Sequence, residues 1–237
     1  MRKLTSLQKH LRRQIIEVSH KKRLSHLGSC FTSVDIIEAV YQVKKKNDVF
    51  VLSSGHAGVA WYVVLHKRGI ISEKTLQKLY IHPDRNESQG ISVSTGSLGQ
   101  GLPIAVGLAL AHRSRHIYCL ISDGECAEGS IWEALHLTHQ LKLVNLHILL
   151  NANGWGAYDP VDHDHLEQRL RATGLRVVKK NGHDLDGLIK TFRRSVKAPT
   201  IVIAETTVSQ LPFLQGQDAH YHVMTEEEYR TALTLLA

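Results

Sequence analysis

The chain is poor in cysteine, in aromatic residues and in long apolar runs. Its three cysteines, Cys30, Cys119 and Cys126, are odd in number and include no CxxC pair. That excludes a disulfide scaffold and fits a reducing, cytoplasmic setting. Aromatics make up 6% of 237 residues, and none is interleaved with the basic clusters at 21–23, 44–46, 179–180 and 193–194. The net charge of +7 therefore reads as a solvated surface suited to acidic or phosphorylated small molecules, and nucleic acid is not expected as a partner. No apolar run approaches the ~20 residues of a membrane span. The longest, residues 102–111, reads as a buried core helix. The N-terminus, MRKLTSLQKHLRRQ, is basic but lacks the apolar core of a signal peptide. Two nucleotide-binding motifs are missing as well. Gly99-Gln100-Gly101 would need a third glycine where Ile104 stands, and there is no Walker A lysine.

What is present is alternation. Hydrophobic content of 43% and charged content of 22% are ordinary for a globular protein of one domain, here residues 1–237. Leu7, Leu11, Ile15 and Val18 recur at helical spacing, and a second helix is predicted from a cap near Ser33. Residues 49–52 form a short buried strand, followed by a helix through Trp61, Val64 and Leu65. Ser72 is expected to cap a helix over 73–80. Apolar runs at 116–121 and 144–150 flank a helix over 128–141. Further helices are expected at 165–171 and 185–195, strands at 176–178 and 200–204, and a last helix after Thr225. Strands alternating with helices imply an α/β fold, a mainly parallel sheet covered on both faces.

One stretch organises the rest. Asp123-Gly124 ends one strand, and Asn153-Gly154 ends the next after a helical crossover. Parallel strands place both ends at one sheet edge, where α/β proteins bind ligands. A carboxylate, an amide oxygen and a nearby carbonyl suit a hard divalent cation that also holds phosphate oxygens. The spacing Asp-Gly, 28 residues, Asn resembles the thiamine-diphosphate and magnesium motif. Glu128-Gly129 and Glu133 stand where transketolases carry them. Other segments in the same order are similar to that family: Arg23-Leu24-Ser25-His26-Leu27-Gly28-Ser29, Ser53-Ser54-Gly55-His56, and His82-Pro83 placed 14 residues before Gly96. So are Ser94-Thr95-Gly96-Ser97-Leu98-Gly99-Gln100-Gly101 and Asp218-Ala219-His220-Tyr221-His222. Together they run from about position 8 to position 232.

The resemblance implies a thiamine-diphosphate-binding fold of the diphosphate-holding type. It implies Asp123, Asn153 and the carbonyl of Trp155 as ligands of Mg²⁺, or of Ca²⁺ or Mn²⁺. His56, Gly124, Asn153 and His220 would hold the diphosphate, and the backbone of Gly96, Ser97 and Leu98 the aminopyrimidine. His26, His82 and His220 would face substrate as catalytic residues. His222 is a close rival of His220. Glu128, counted with the cofactor shell, and Glu133 would meet a second subunit in the family's acidic network. The implied activity is transfer of a two-carbon ketol unit between sugar phosphates, as in the pentose phosphate pathway.

The family's pyrimidine-binding domain, with its ring-activating glutamate, is not in this sequence. The expectation is an N-terminal subunit that works with a separate C-terminal transketolase subunit, as α2β2 and with self-association. Departures from the family pattern are Ser25, Ser54, Ser92, Ser122 and Ala219, and Thr207-Val208-Ser209-Gln210 where a Lys-Gly-x-Gly is usual. Two alternatives remain at this point. One is half of another thiamine-diphosphate carboligase, deoxyxylulose-phosphate synthase-like or acyloin-forming. The other is a scaffold that kept the fold without the chemistry.

Overall fold

The computed structural model describes residues 4–237, so residues 1–3 of the expected domain lie outside the described residues. Five strands, β1 (Val49–Leu52), β2 (Ile117–Ser122), β3 (Leu146–Ala152), β4 (Arg176–Asn181) and β5 (Thr200–Glu205), form one sheet. The order is β1-β2-β3-β5-β4, and every neighbouring pair is parallel. The helices are α1 (Ser6–Lys22), α2 (Leu27–Val43), α3 (Gly58–Lys67), α4 (Glu73–Leu76), α5 (Gly101–Ala111), α6 (Gly129–Gln140), α7 (His163–Ala172), α8 (Leu185–Phe192), α9 (Asp218–Tyr221) and α10 (Glu226–Leu235).

Alternating strand residues feed two cores, as a pleated sheet buried on both faces requires. Phe50, Leu52, Tyr118, Leu120, Leu149 and Val202 join α1, α2, α3, α8 and α10 in one layer. Val51, Cys119, Ile121, Ile148, Leu150, Ile201 and Ile203 join α5, α6 and α7 in the other. The three cysteines are buried and unbridged. Among the described residues no helix is long and apolar enough to cross a membrane.

Several boundaries differ from the sequence expectation, each for a local reason. Helix α2 starts at Leu27 rather than near Ser33, because the chain reverses through two left-handed residues, Arg23 (φ 53°) and His26 (φ 64°). The hydroxyl of Thr32 then bonds back to the carbonyl oxygens of Gly28 and Ser29, so that these polar residues continue the helix. Ser72 does cap α4, accepting from the Thr75 amide, but the helix stops at Leu76. Helix α5 is buried on one side only: Ile104 is 39% and Leu110 46% exposed. Strands β2 and β3 extend to Ser122 and Ala152, so Asp123 and Asn153 follow them directly.

One buried polar cluster ties the first layer to the loops above the sheet. Arg12 and Asp35, both fully buried, pair through two hydrogen bonds of 3.0 and 2.6 Å. His183 Nδ1 lies 3.0 Å from the same carboxylate, and its Nε2 accepts from the Thr207 amide at 3.2 Å, so Nδ1 is the donor to Asp35. Gln210 completes the set by accepting from Arg12 Nε at 2.8 Å. Burial raises the Asp35 pKa, but Arg12 and His183 more than offset it and hold the carboxyl below its ordinary range. The 207–210 segment, which departs from the family pattern, is thus anchored through this cluster. Removing one partner of a buried pair strands the other. Asp35→Ala is expected to lower unfolding free energy by roughly 3–5 kcal/mol, read from urea denaturation.

Candidate active site

Because all strands run parallel, the loops after β1, β2 and β3 meet at one edge. Ser122 pairs with Asn151 in the β2–β3 register, which brings Asp123 beside the turn that carries Asn153. Asp123 is 2% exposed. Its Oδ1 accepts from the Gly124 amide at 3.0 Å, and its Oδ2 accepts from the Gly154 amide at 2.7 Å. Gly154 takes φ 88°, a left-handed turn that aims its N–H at the carboxylate. Asn153 Oδ1 accepts from the Trp155 amide at 3.0 Å, and the Trp155 carbonyl faces Gly124.

Beside these two loop tips lies a cavity of ≈ 150 Å³ lined by four histidines, His26, His56, His82 and His220, together with Gly96, Leu98, Gly124 and Trp155. The rings of His26, His56 and His220 sit 5.4 to 5.7 Å apart. The glycine-rich loop packs onto the turn that holds His56: a Cβ on Gly55 would stand 2.7 Å from the Gly96 nitrogen. A Cβ on Gly96, at φ 146°, would in turn stand 2.9 Å from the His82 ring. His26 is held by its own amide, which donates to the His220 carbonyl at 2.9 Å. A non-glycine residue in the left-handed region is uncommon, and this one sits in the cavity wall.

Burial sets the charge of these rings. His56 is pushed down to about 3 and His26 to about 4, chiefly by desolvation and then by the neighbouring imidazoles. Desolvation also lowers His220, partly countered by Asp123. All three are neutral at pH 7, able both to donate and to accept a proton. His222 is elsewhere, 2.8 Å from Glu228 and against Phe213. Ser97 is exposed, whereas Leu98 lines the histidine cavity and also an adjoining one of ≈ 360 Å³ that runs past Asp123 to Glu128 and Arg169. Glu133 is exposed on α6.

Two functional side chains were missed by the sequence reading. Glu125 is fully buried, and its carboxylate accepts from the Ser53 hydroxyl (2.6 Å), the Gly99 amide (3.0 Å) and the Ser122 amide (3.0 Å). It fastens the end of β1, the glycine-rich loop and the Asp-Gly turn together. Desolvation raises its pKa despite these bonds. His163, the first residue of α7, places Nε2 2.8 Å from Asp123 Oδ2. That bond raises the His163 pKa against the effect of burial. Glu125 was in view inside the motif, but its partners lie up to 72 residues away. Nothing local marks His163.

The residues present fit an anionic cofactor with a hard cation. Among the described residues no three His, Cys, Asp or Glu side chains converge on a metal position. A cation here would depend on Asp123, Asn153 and the Trp155 carbonyl, an all-oxygen set of the kind Mg²⁺ takes. His26 Nδ1 is buried without a hydrogen-bond partner in the protein, and the Gly124 turn has no side chain to block approach.

Comparison with known proteins gives the class. The transketolase thiamine-diphosphate-binding domain model matches residues 7–235. The chain belongs to the transketolase family, as its N-terminal, thiamine-diphosphate-binding portion. More particularly, it is 31% identical to a protein of Phocaeicola vulgatus named as one of the subunits of an apulose-4-phosphate transketolase, over 94% of this chain and 89% of that protein. The protein of the same name from Actinobacillus succinogenes is also 31% identical, over 95% and 92%. Human transketolase is 33% identical over 83% of this chain but only 36% of its own length. The crystal structure of Campylobacter jejuni transketolase superposes with TM-score 0.87 at 27% identity, covering 98% of this chain and 42% of that one.

The histidine shifts fix a pH dependence. Groups whose folded pKa is depressed bind fewer protons folded than unfolded, so stability is full above about 6.5 and falls as pH drops toward about 4. His26, His56, His147 and His220 act in this sense, and His163 in the opposite one. The urea midpoint is expected to fall between pH 6.5 and 5, and His56→Asn to flatten that fall.

Proposed function

We propose that the chain is the diphosphate-binding subunit of a two-chain transketolase that moves a two-carbon ketol unit between sugar phosphates. The observation that carries this is the pair of adjacent parallel strand ends. They set Asp123 and Asn153 at one edge, beside four histidines and the Gly124 turn.

In this reading Asp123, Asn153 and the Trp155 carbonyl hold Mg²⁺, and His56, Gly124 and His220 hold the diphosphate. The Gly96–Leu98 backbone meets the pyrimidine, with Glu128 at the rim. Bound thiamine diphosphate supplies an electron sink for breaking a ketose carbon–carbon bond. The protein positions and moves protons. His26, His82 and His220 face the substrate, and the neutral rings of His26 and His220 can each take a hydroxyl proton or return one to a carbonyl oxygen.

The two relatives named as separate subunits match over nearly their whole length, whereas the human enzyme extends far beyond the match. That supports a separate C-terminal subunit bearing the pyrimidine site, in an α2β2 assembly, with Glu128 and Glu133 near the contact. Three buried free cysteines support a cytoplasmic location. That Asp123, Asn153, His26, His56 and His82 all match the family's motifs speaks against a bare scaffold. Calorimetric titration with thiamine diphosphate tests this reading. Heat of binding is expected only with Mg²⁺ present, with affinity reduced ~100-fold or more in Asp123→Ala. Equal binding without metal, or in the variant, would contradict it.

A further inference from the structure

We propose that His163 dictates how Asp123 meets the metal: it blocks Oδ2, leaves Oδ1 as the single ligand, and so favours Mg²⁺ over Ca²⁺. This rests on the metal site proposed above. An ionised carboxylate offers about four lone-pair positions. At Asp123 three are occupied: one on Oδ1 by the Gly124 amide, and both on Oδ2, by the Gly154 amide and by His163 Nε2. The remaining position is on Oδ1, so a cation drawn to this carboxylate is held through one oxygen. Mg²⁺ keeps six ligands in near-octahedral order and accepts carboxylates one oxygen at a time. Ca²⁺ takes six to eight oxygens and gains from a bidentate carboxylate.

The Gly154 donor is backbone, fixed by its left-handed turn. His163 is the adjustable part. It opens α7, whose start is set by Asp162, which accepts from the His165 amide at 3.0 Å. Its side chain is 31% exposed, so the ring is placed by the helix start more than by core packing. An ionised Asp123 can only accept, so Nε2 carries the hydrogen. His163 is therefore a positioning residue, acting on the cation through Asp123.

The test uses the full chain with thiamine diphosphate present, titrated separately with Mg²⁺ and Ca²⁺. His163→Ala is expected to strengthen Ca²⁺ by ~10-fold while changing Mg²⁺ by less than ~3-fold, because it frees Oδ2 and leaves the Oδ1 position untouched. His163→Gln, whose amide can donate in place of the ring, is expected to keep the wild-type metal preference. His163→Leu, which keeps bulk without a donor, should behave as the alanine variant and guards against a loss of folding. Equal weakening of both metals, or no change in either, overturns the inference and leaves the metal site standing. A wild-type chain that binds neither metal overturns both.

Discussion

A buried carboxylate with backbone amides on both of its oxygens is the constraint on which the site depends. Asp123 is almost wholly out of water, and isolated charge in that position is expensive. Gly124 and Gly154 donate to it from two different loops, and His163 adds a third bond. The two loops can do so because β2 and β3 are parallel and in register through Ser122 and Asn151. A shift of one residue in that pairing would turn the carboxylate toward a core face. In the proposed function, a divalent cation shared with Asn153 would take the one acceptor position that these donors leave open.

The rest of the edge is arranged around that carboxylate by close backbone contact. Glu125 joins three loops through one side chain, and the glycines at 55 and 96 let the glycine-rich loop lie directly on the His56 turn. Neither contact tolerates a Cβ. Burial strips water from His26 and His56, and with the neighbouring imidazoles it keeps both uncharged, whereas His82 stands exposed at the rim. In the proposed function, a cation held by Asp123 and Asn153 would supply the positive charge that uncharged imidazoles do not.

Much of the fold was legible in the sequence, because short apolar runs bounded by turns read as buried parallel strands and amphipathic spacing reads as helix. Every strand was expected within a few residues of where it lies. The start of α2 was not, since a left-handed His26 and hydroxyls bonding back to the helix leave no mark on periodicity. The outer face of α5 was misread as core because an unbroken apolar composition cannot say which side is covered. At the site, residues inside contiguous motifs are legible through resemblance, and the fold brings His220 rather than His222 into the cavity. His163 stayed hidden: its partner lies 40 residues earlier, and only the fold joins them.

The most direct measurement is anomalous diffraction from Mn²⁺ in crystals grown with thiamine diphosphate. The expected result is one strong peak within ~2.0–2.3 Å of Asp123 Oδ1, Asn153 Oδ1 and the Trp155 carbonyl oxygen. A peak away from these three atoms, or none at a site occupied by the diphosphate, would contradict the account.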